Sequence, residues 1–204
     1  LLTLVLLVPL QLVKSLIEER SQRQKEVVSE TSNKWGESIH FYGPILKVPY
    51  KSYSEEFVID PATNKQVKTR KAEIKIAYFF PEELKNKSKV TMAKPLERSL
   101  YKSNVFSAEM NFEGHYIRPD FKKNSTPDED ILWDKATVMI RTTNLKSIKS
   151  QVTVKLGTNS YRMEPTQNTD SDSIAFLETG VVDLQNLIDN RKLDFNFNIN
   201  YNGS

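Results

Sequence analysis

His40 and His115 are the only histidines of this 204-residue chain, and it has no cysteine. A protein-bound metal needs ligands at set spacings, such as two histidines one helical turn apart or paired thiolates. Here the histidines stand far apart, each beside an aromatic (His40-Phe41, His115-Tyr116), the setting of packed or surface imidazoles. No metal and no other cofactor is expected. Carboxylates gather at Asp128-Glu129-Asp130 and again at Asp172. A hydrolase reading would use Asp128, Asp130 or Asp172, with two carboxyls converging at roughly 5–10 Å. Against it, loop carboxylates are usually solvated, and the alternating Asp/Asn pattern of a calcium loop is absent. With six glycines in all, there is neither a Gly-x-Ser-x-Gly elbow nor a phosphate-cradling loop. Aromatics at strand spacing, Phe195, Phe197 and Tyr201, have the rings to stack on sugars. The same spacing also describes a core-facing strand. No catalytic residue is assigned.

The formal net charge is +3 with 27% charged residues. That is no basic stripe, so nucleic acid is not an expected partner. The length suits one domain that can bury a core.

The elements that would carry these residues begin with an apolar run, "LLTLVLLVPLQLV". As a helix it covers roughly 20 Å of the about 30 Å hydrocarbon core. The chain opens with Leu1 inside this run. Residues 1–17 are therefore expected to be the C-terminal part of a transmembrane helix, with the lipid bilayer as partner. Residues 18–36 read as a juxtamembrane helical stalk. It is rich in helix formers, carries Glu19/Arg23 and Glu30/Lys34 four apart, and has no apolar residue between Ile17 and Val27. A helix polar all round runs through solvent. Val27, Val28 and Trp35 then return on one stripe, where the stalk should meet the domain. Gly36 has the place of a helix-ending glycine. Gly43-Pro44 and Pro49 keep the chain turned or extended, and "ILKVPY" reads as a first strand near a sheet edge.

Residues 37–204 read as a β-rich domain, with two lobes possible. "KSYSEEFVID" and "KQVKTRKAEIKIAYFF" form a hairpin around "PATN". In the second segment Ala72, Ile74, Ile76 and Tyr78 alternate with Glu73, Lys75 and Ala77, the pattern of a half-buried strand. "PEELKNK" reads as a helical turn or loop. "SKVTMAKPL" and "LYKSNVFSAEMNFEGHYI" read as strands, with a slip at Gly114 marking a bulge. "KATVMIRTT", a hairpin around Gly157-Thr158-Asn159 and "IAFLETG" follow, then a short helix in "VVDLQNLIDN". In "LDFNFNINYN" the residues Leu193, Phe195, Phe197, Ile199 and Tyr201 point to one face and demand burial. The terminal Asn-Gly turn signal fits a chain that continues. The fold class is thus mainly β, an antiparallel β-sandwich-like domain preceded by a long N-terminal helix. "FSAEMNFEGHY" and "FNFNINYNGS" also resemble each other.

The junction carries a pattern. A charged helix after an apolar segment, then Trp35-Gly36, Gly43-Pro44 and "ILKVPY" resembles the inner membrane protein CreD family. The matching residues are Ile17, Glu19, Arg20, Trp35, Gly36, Gly43, Pro44, Leu46, Val48, Pro49 and Tyr50. Looser matches run through Arg98, Tyr101, Phe106, Ala108 and Gly114, and through "NINYNGS". Ile39 and Ser99 depart from the glutamine and glycine usual there. The resemblance implies a bacterial inner membrane protein associated with cell-envelope integrity. It implies a membrane helix, an extracytoplasmic (periplasmic) domain and no known catalytic residues. On that footing the expected role is non-enzymatic docking of other envelope proteins. Trp35, Gly36, Gly43, Pro44, Pro49 and Tyr50 then serve as a structural motif. The alternative is a domain that binds cell-wall glycan, and exposed aromatics lining a cleft would favour it.

Overall fold

The computed structural model of the protein describes residues 2–35, 39–59, 66–98, 101–121, 126–143, 145–166 and 175–203. Helix α1 spans Leu2–Trp35 without a break at Pro9. Its polar half is held by local pairs. Arg23 reaches Glu19 at 2.6 Å, and Gln22 donates to Glu26 at 3.3 Å. Such exposed pairs add about 0.3–0.5 kcal/mol each. No helix among the described residues is long and apolar enough to cross a membrane. The helix approaches the body near β5 and β11. Val27 is half-buried, while Val28 on the same turn stays exposed. Gly36 lies outside the described residues.

The strands are β1 (Phe41–Ile59), β2 (Gln66–Phe79), β3 (Glu83–Met92), β4 (Leu96–Arg98), β5 (Tyr101–Ser103), β6 (Phe106–Ile117), β7 (Thr137–Thr142), β8 (Thr153–Leu156), β9 (Asn159–Thr166), β10 (Ala175–Thr179) and β11 (Lys192–Gly203). A short helix α2, Gln185–Asn190, precedes β11. Nine strands form one antiparallel sheet in the order β2-β1-β7-β10-β9-β8-β11-β6-β3, and β4 pairs with β5 alone. Strand β9 serves two neighbours. Its first half pairs with β8 and its second half with β10. The sheet folds over there, so that its two halves face each other as in a sandwich. Phe41 of β1 stacks on Phe112 of β6 with centroids 4.4 Å apart. Thr142 Oγ1 of β7 meets Tyr201 Oη of β11 at 2.8 Å. Leu46, Val48, Val138, Ile140, Val154, Leu156, Phe195, Phe197 and Ile199 fill the space between.

The strand β11 follows the alternation read from its sequence. Leu193, Phe195, Phe197, Ile199 and Tyr201 are buried, and the aspartate and asparagines between them face outward. It pairs with β6 without a slip from Lys192↔Ile117 to Gly203↔Phe106. There is therefore no bulge at Gly114, contrary to the expectation. Gly114 belongs to the inward row with Ala108, Phe112 and Tyr116, and it has no side chain because its partner Phe195 lies over it. A Cβ there would sit 2.8 Å from Phe195 Cζ and 2.0 Å from the Glu83 carbonyl oxygen. The other end of the pair mirrors this, since a Cβ on Gly203 would meet Phe106 Cζ at 2.3 Å.

Two further expectations change, and that of Pro49 near a sheet edge is refined. "PEELKNK" is mostly strand, because Glu83–Lys87 add to the outer edge of β6 and tertiary pairing overrides helix propensity. Pro49 lies on a strand that is not the outermost. Its tolerance is local, because β1 pairs with β7 only up to Lys47, and beyond it the Pro49 carbonyl accepts from the Leu132 N–H at 2.9 Å. In an extended strand a residue's N–H and C=O point the same way. The missing donor of Pro49 thus faces a loop and not a ladder. Finally, the alternation in β2 is present but inverted in use. Ala77 and Phe79 turn toward the core, whereas Ile74, Ile76 and Tyr78 are 65%, 44% and 54% exposed.

Candidate functional site

The junction motif builds strand β1. Gly43 adopts φ +118°, at a register shift between Tyr42 and Ile45 in the pairing with β7. Its Cβ would meet the Met139 carbonyl oxygen at 3.1 Å. A side chain is thus excluded by conformation and by space. Pro44 is buried beside it. Tyr50 meets Phe121 edge-on at 5.7 Å, and Phe121 in turn contacts Phe79 and Trp133. Trp35 is the last residue of α1; its side chain, like Gly36, lies outside the described part. The described motif residues place a strand and a ring cluster, and none presents a reactive group to a cleft.

The acidic candidates are drawn into structural pairs. Asp128 accepts from the Arg118 guanidinium at 3.2 Å. Asp130 is buried and accepts from the Tyr53 hydroxyl at 2.8 Å. That hydrogen bond holds the Tyr53 phenol above its usual pKa. Asp172 lies outside the described residues. His40 is exposed at the start of β1, and His115 faces Glu83 at 3.5 Å on the outside of β6. The Glu83 carboxyl is held below its ordinary range by the hydrogen bond from Lys85 and that lysine's charge. Among the described residues no group of His, Asp and Glu has the closeness of a metal site. The rings of Phe195, Phe197 and Tyr201 are in the core, and Trp133 is half-buried against Phe121. None of them stands ready to stack on a sugar.

Two surfaces stand out among the described residues. One is a cleft of about 850 Å³ on the outer face of β3, β6, β11 and β8. Lys85, Lys87 and Lys155 stand at its flanks and Asn111, Asn196 and Asn198 along its floor. The Asn198 amide donates to Asn111 at 2.8 Å. The alternation of β11 announced these asparagines as outward-facing. That they share a hollow with lysines from β3 and β8 depends on sheet curvature, which has no local sequence signal.

The other surface is the ribbon of β1 and β2. Their ladder runs unbroken from Leu46↔Phe79 to Ile59↔Gln66. Past Tyr53 it projects, among the described residues, as two strands alone, with Phe57 and Ile59 exposed on one face and Val58 and Val67 on the other. Phe57 and Ile59 share their face with the exposed Ile74, Ile76 and Tyr78, and soluble monomers rarely leave such an apolar row open. Lys68–Glu55 at 2.6 Å and Lys71–Glu56 at 3.4 Å tie the strands across, and Arg70 lies 3.7 Å over the Tyr53 ring.

No curated protein and no solved structure matches the chain. The family model described as Inner membrane protein CreD matches residues 1–204, the whole chain, in agreement with the junction motif and the β-rich body behind it. By that match the chain belongs to the CreD family of inner membrane proteins.

Proposed function

We propose that the β-rich body is a non-enzymatic docking domain that faces the extracytoplasmic side of the inner membrane and supports envelope integrity. Residues 1–17 anchor it in the bilayer, and the polar part of α1 is the stalk. The observation that carries this reading is the ribbon, a projecting two-stranded arm with an uncovered apolar face, on a body whose described acidic candidates are engaged in structural pairs. The family membership supports the membrane setting. The test is complementation of a strain lacking the protein, scored by sensitivity to detergent and to large antibiotics. Asp128→Asn and Asp130→Asn should restore resistance as the parent does, and Ile74→Asp with Ile76→Asp should not. Failure of the carboxamide variants at normal protein levels would point to catalysis instead.

The second reading, a cell-wall glycan ligand, is favoured by the cleft, whose amides and lysines suit hydroxyls and carboxylates. Binding of isolated cell-wall fragments that is lost in Asn196→Ala with Lys155→Ala would select it.

A further inference from the structure

Strand β2 ends the sheet, and among the described residues nothing pairs with its outer edge. Which of its backbone groups are free follows from Pro49. The Pro49 carbonyl points away from β2, toward Leu132, and Pro49 is the partner of Ile76. Partners in an antiparallel ladder point both inward or both outward. Ile76 therefore turns its N–H and C=O to the open edge. Because the ladder has no slip, so does every second residue from Gln66 to Tyr78, including Ala72. A free edge of this length is a template for another strand.

The charges on the edge say which strand. Lys71-Ala72-Glu73 lies at the middle of Gln66–Tyr78. We propose that β2 pairs antiparallel with β2 of a second copy of this chain, with Ala72 on the two-fold axis. Each Lys71 then stands opposite the partner copy's Glu73. Gln66 meets Tyr78, Lys68 meets Ile76, Thr69 meets Lys75 and Arg70 meets Ile74, so no like charges face each other. Moving the axis by one residue puts Glu73 against Glu73 or Lys71 against Lys71. The pattern thus disfavours the neighbouring registers, and among those without like-charge pairs this one gives the longest overlap the outward-facing groups allow. The contact is isologous and closes after two copies. It turns two ribbons, each marginal alone, into one four-stranded ribbon.

The lack of cysteine makes a direct test available. Two residues facing across a hydrogen-bonded antiparallel pair have Cα atoms about 5.5 Å apart, within disulfide reach. The full chain in detergent, carrying Ala72→Cys, should form a covalent dimer on mild oxidation. Ile74→Cys, whose copies lie four residues apart along the strands, should not. Lys71→Glu and Glu73→Lys should each weaken the dimer by at least about tenfold, and the double exchange should restore it. Ala72→Pro removes only an outward donor and should give a folded monomer. A monomeric parent chain, equal cross-linking at positions 72 and 74, or a double exchange no better than the single ones would overturn the proposal.

Discussion

Two buried tyrosines carry opposite expectations. Tyr116 is 1% exposed, its ring lies 5.1 Å from Phe195, and among the described residues its hydroxyl has no hydrogen-bond partner. Tyr201 is 0% exposed but shares a hydrogen bond with Thr142. A buried polar group without a partner costs about 1–3 kcal/mol, and a made bond contributes roughly 0.5–1.5 kcal/mol. Tyr116→Phe should thus raise stability by about 1 kcal/mol in denaturant unfolding, and Tyr201→Phe should lower it by a similar amount. Burial pushes the Tyr116 phenol far above its ordinary value of 10.0. Below pH ~10 folded and unfolded chains both keep the proton, so this group adds no slope. Above it the unfolded chain releases the proton while the folded chain holds it, and stability falls as pH rises. Tyr116→Phe should flatten part of that fall. The inward position of Tyr116 was hidden in the sequence because Gly114, with no side chain, obscures the parity of the strand. Gly43→Ala, at positive φ, should cost about 1–3 kcal/mol, read by the same unfolding curves.

Strand β11 was the most legible element, because large apolar groups alternate with asparagine along its whole length. Phe197 stacks on Phe112 at 4.7 Å inside the core. Phe197→Asp should leave an uncompensated charge there and abolish the cooperative transition. Asn198→Asp on the outer face should stay within about 0.5 kcal/mol of the parent, with Asn111 turning its amide to donate. Strand β2 was legible as a strand and misread as to face. Alternation fixes which residues share a side, and it does not say whether a second layer covers that side. The Phe-over-Gly contacts invite a double-mutant cycle. Gly203→Ala should cost about 2 kcal/mol alone and much less in a Phe106→Ala background, because the atoms it strikes are then gone. Additive costs would mean that the ring turns aside freely.

At the scale of the whole molecule, the mainly β class and the leading helix could be read from strand alternation and from a glycine-free charged stretch. The fold-over at β9 and the projection of the ribbon could not, since both arise from pairings distant in sequence. Among the described residues, the ribbon beyond Tyr53 contributes nothing to the buried core. Replacing residues 55–70 by Asn-Gly keeps Ser54↔Lys71 as the closing pair of a two-residue hairpin. The shortened chain should melt within a few degrees of the parent by circular dichroism, while losing the ribbon's contacts. A large drop would mean that the ribbon supports the body.

The body itself must find long-range pairings, above all β6 with β11, and such searches are slow and open to misalignment. Phe106 and Gly114 have the same spacing as Phe195 and Gly203, and the two strands run antiparallel, so each phenylalanine meets the other strand's glycine in one alignment. Sliding by two residues one way sets Phe106 against Tyr201 and Phe112 against Phe195, and sliding the other way leaves Ala108 facing Gly203. The pair therefore carries its own alignment information, written in side-chain volume at both ends, since this alignment alone sets both Phe106 and Phe195 over glycines.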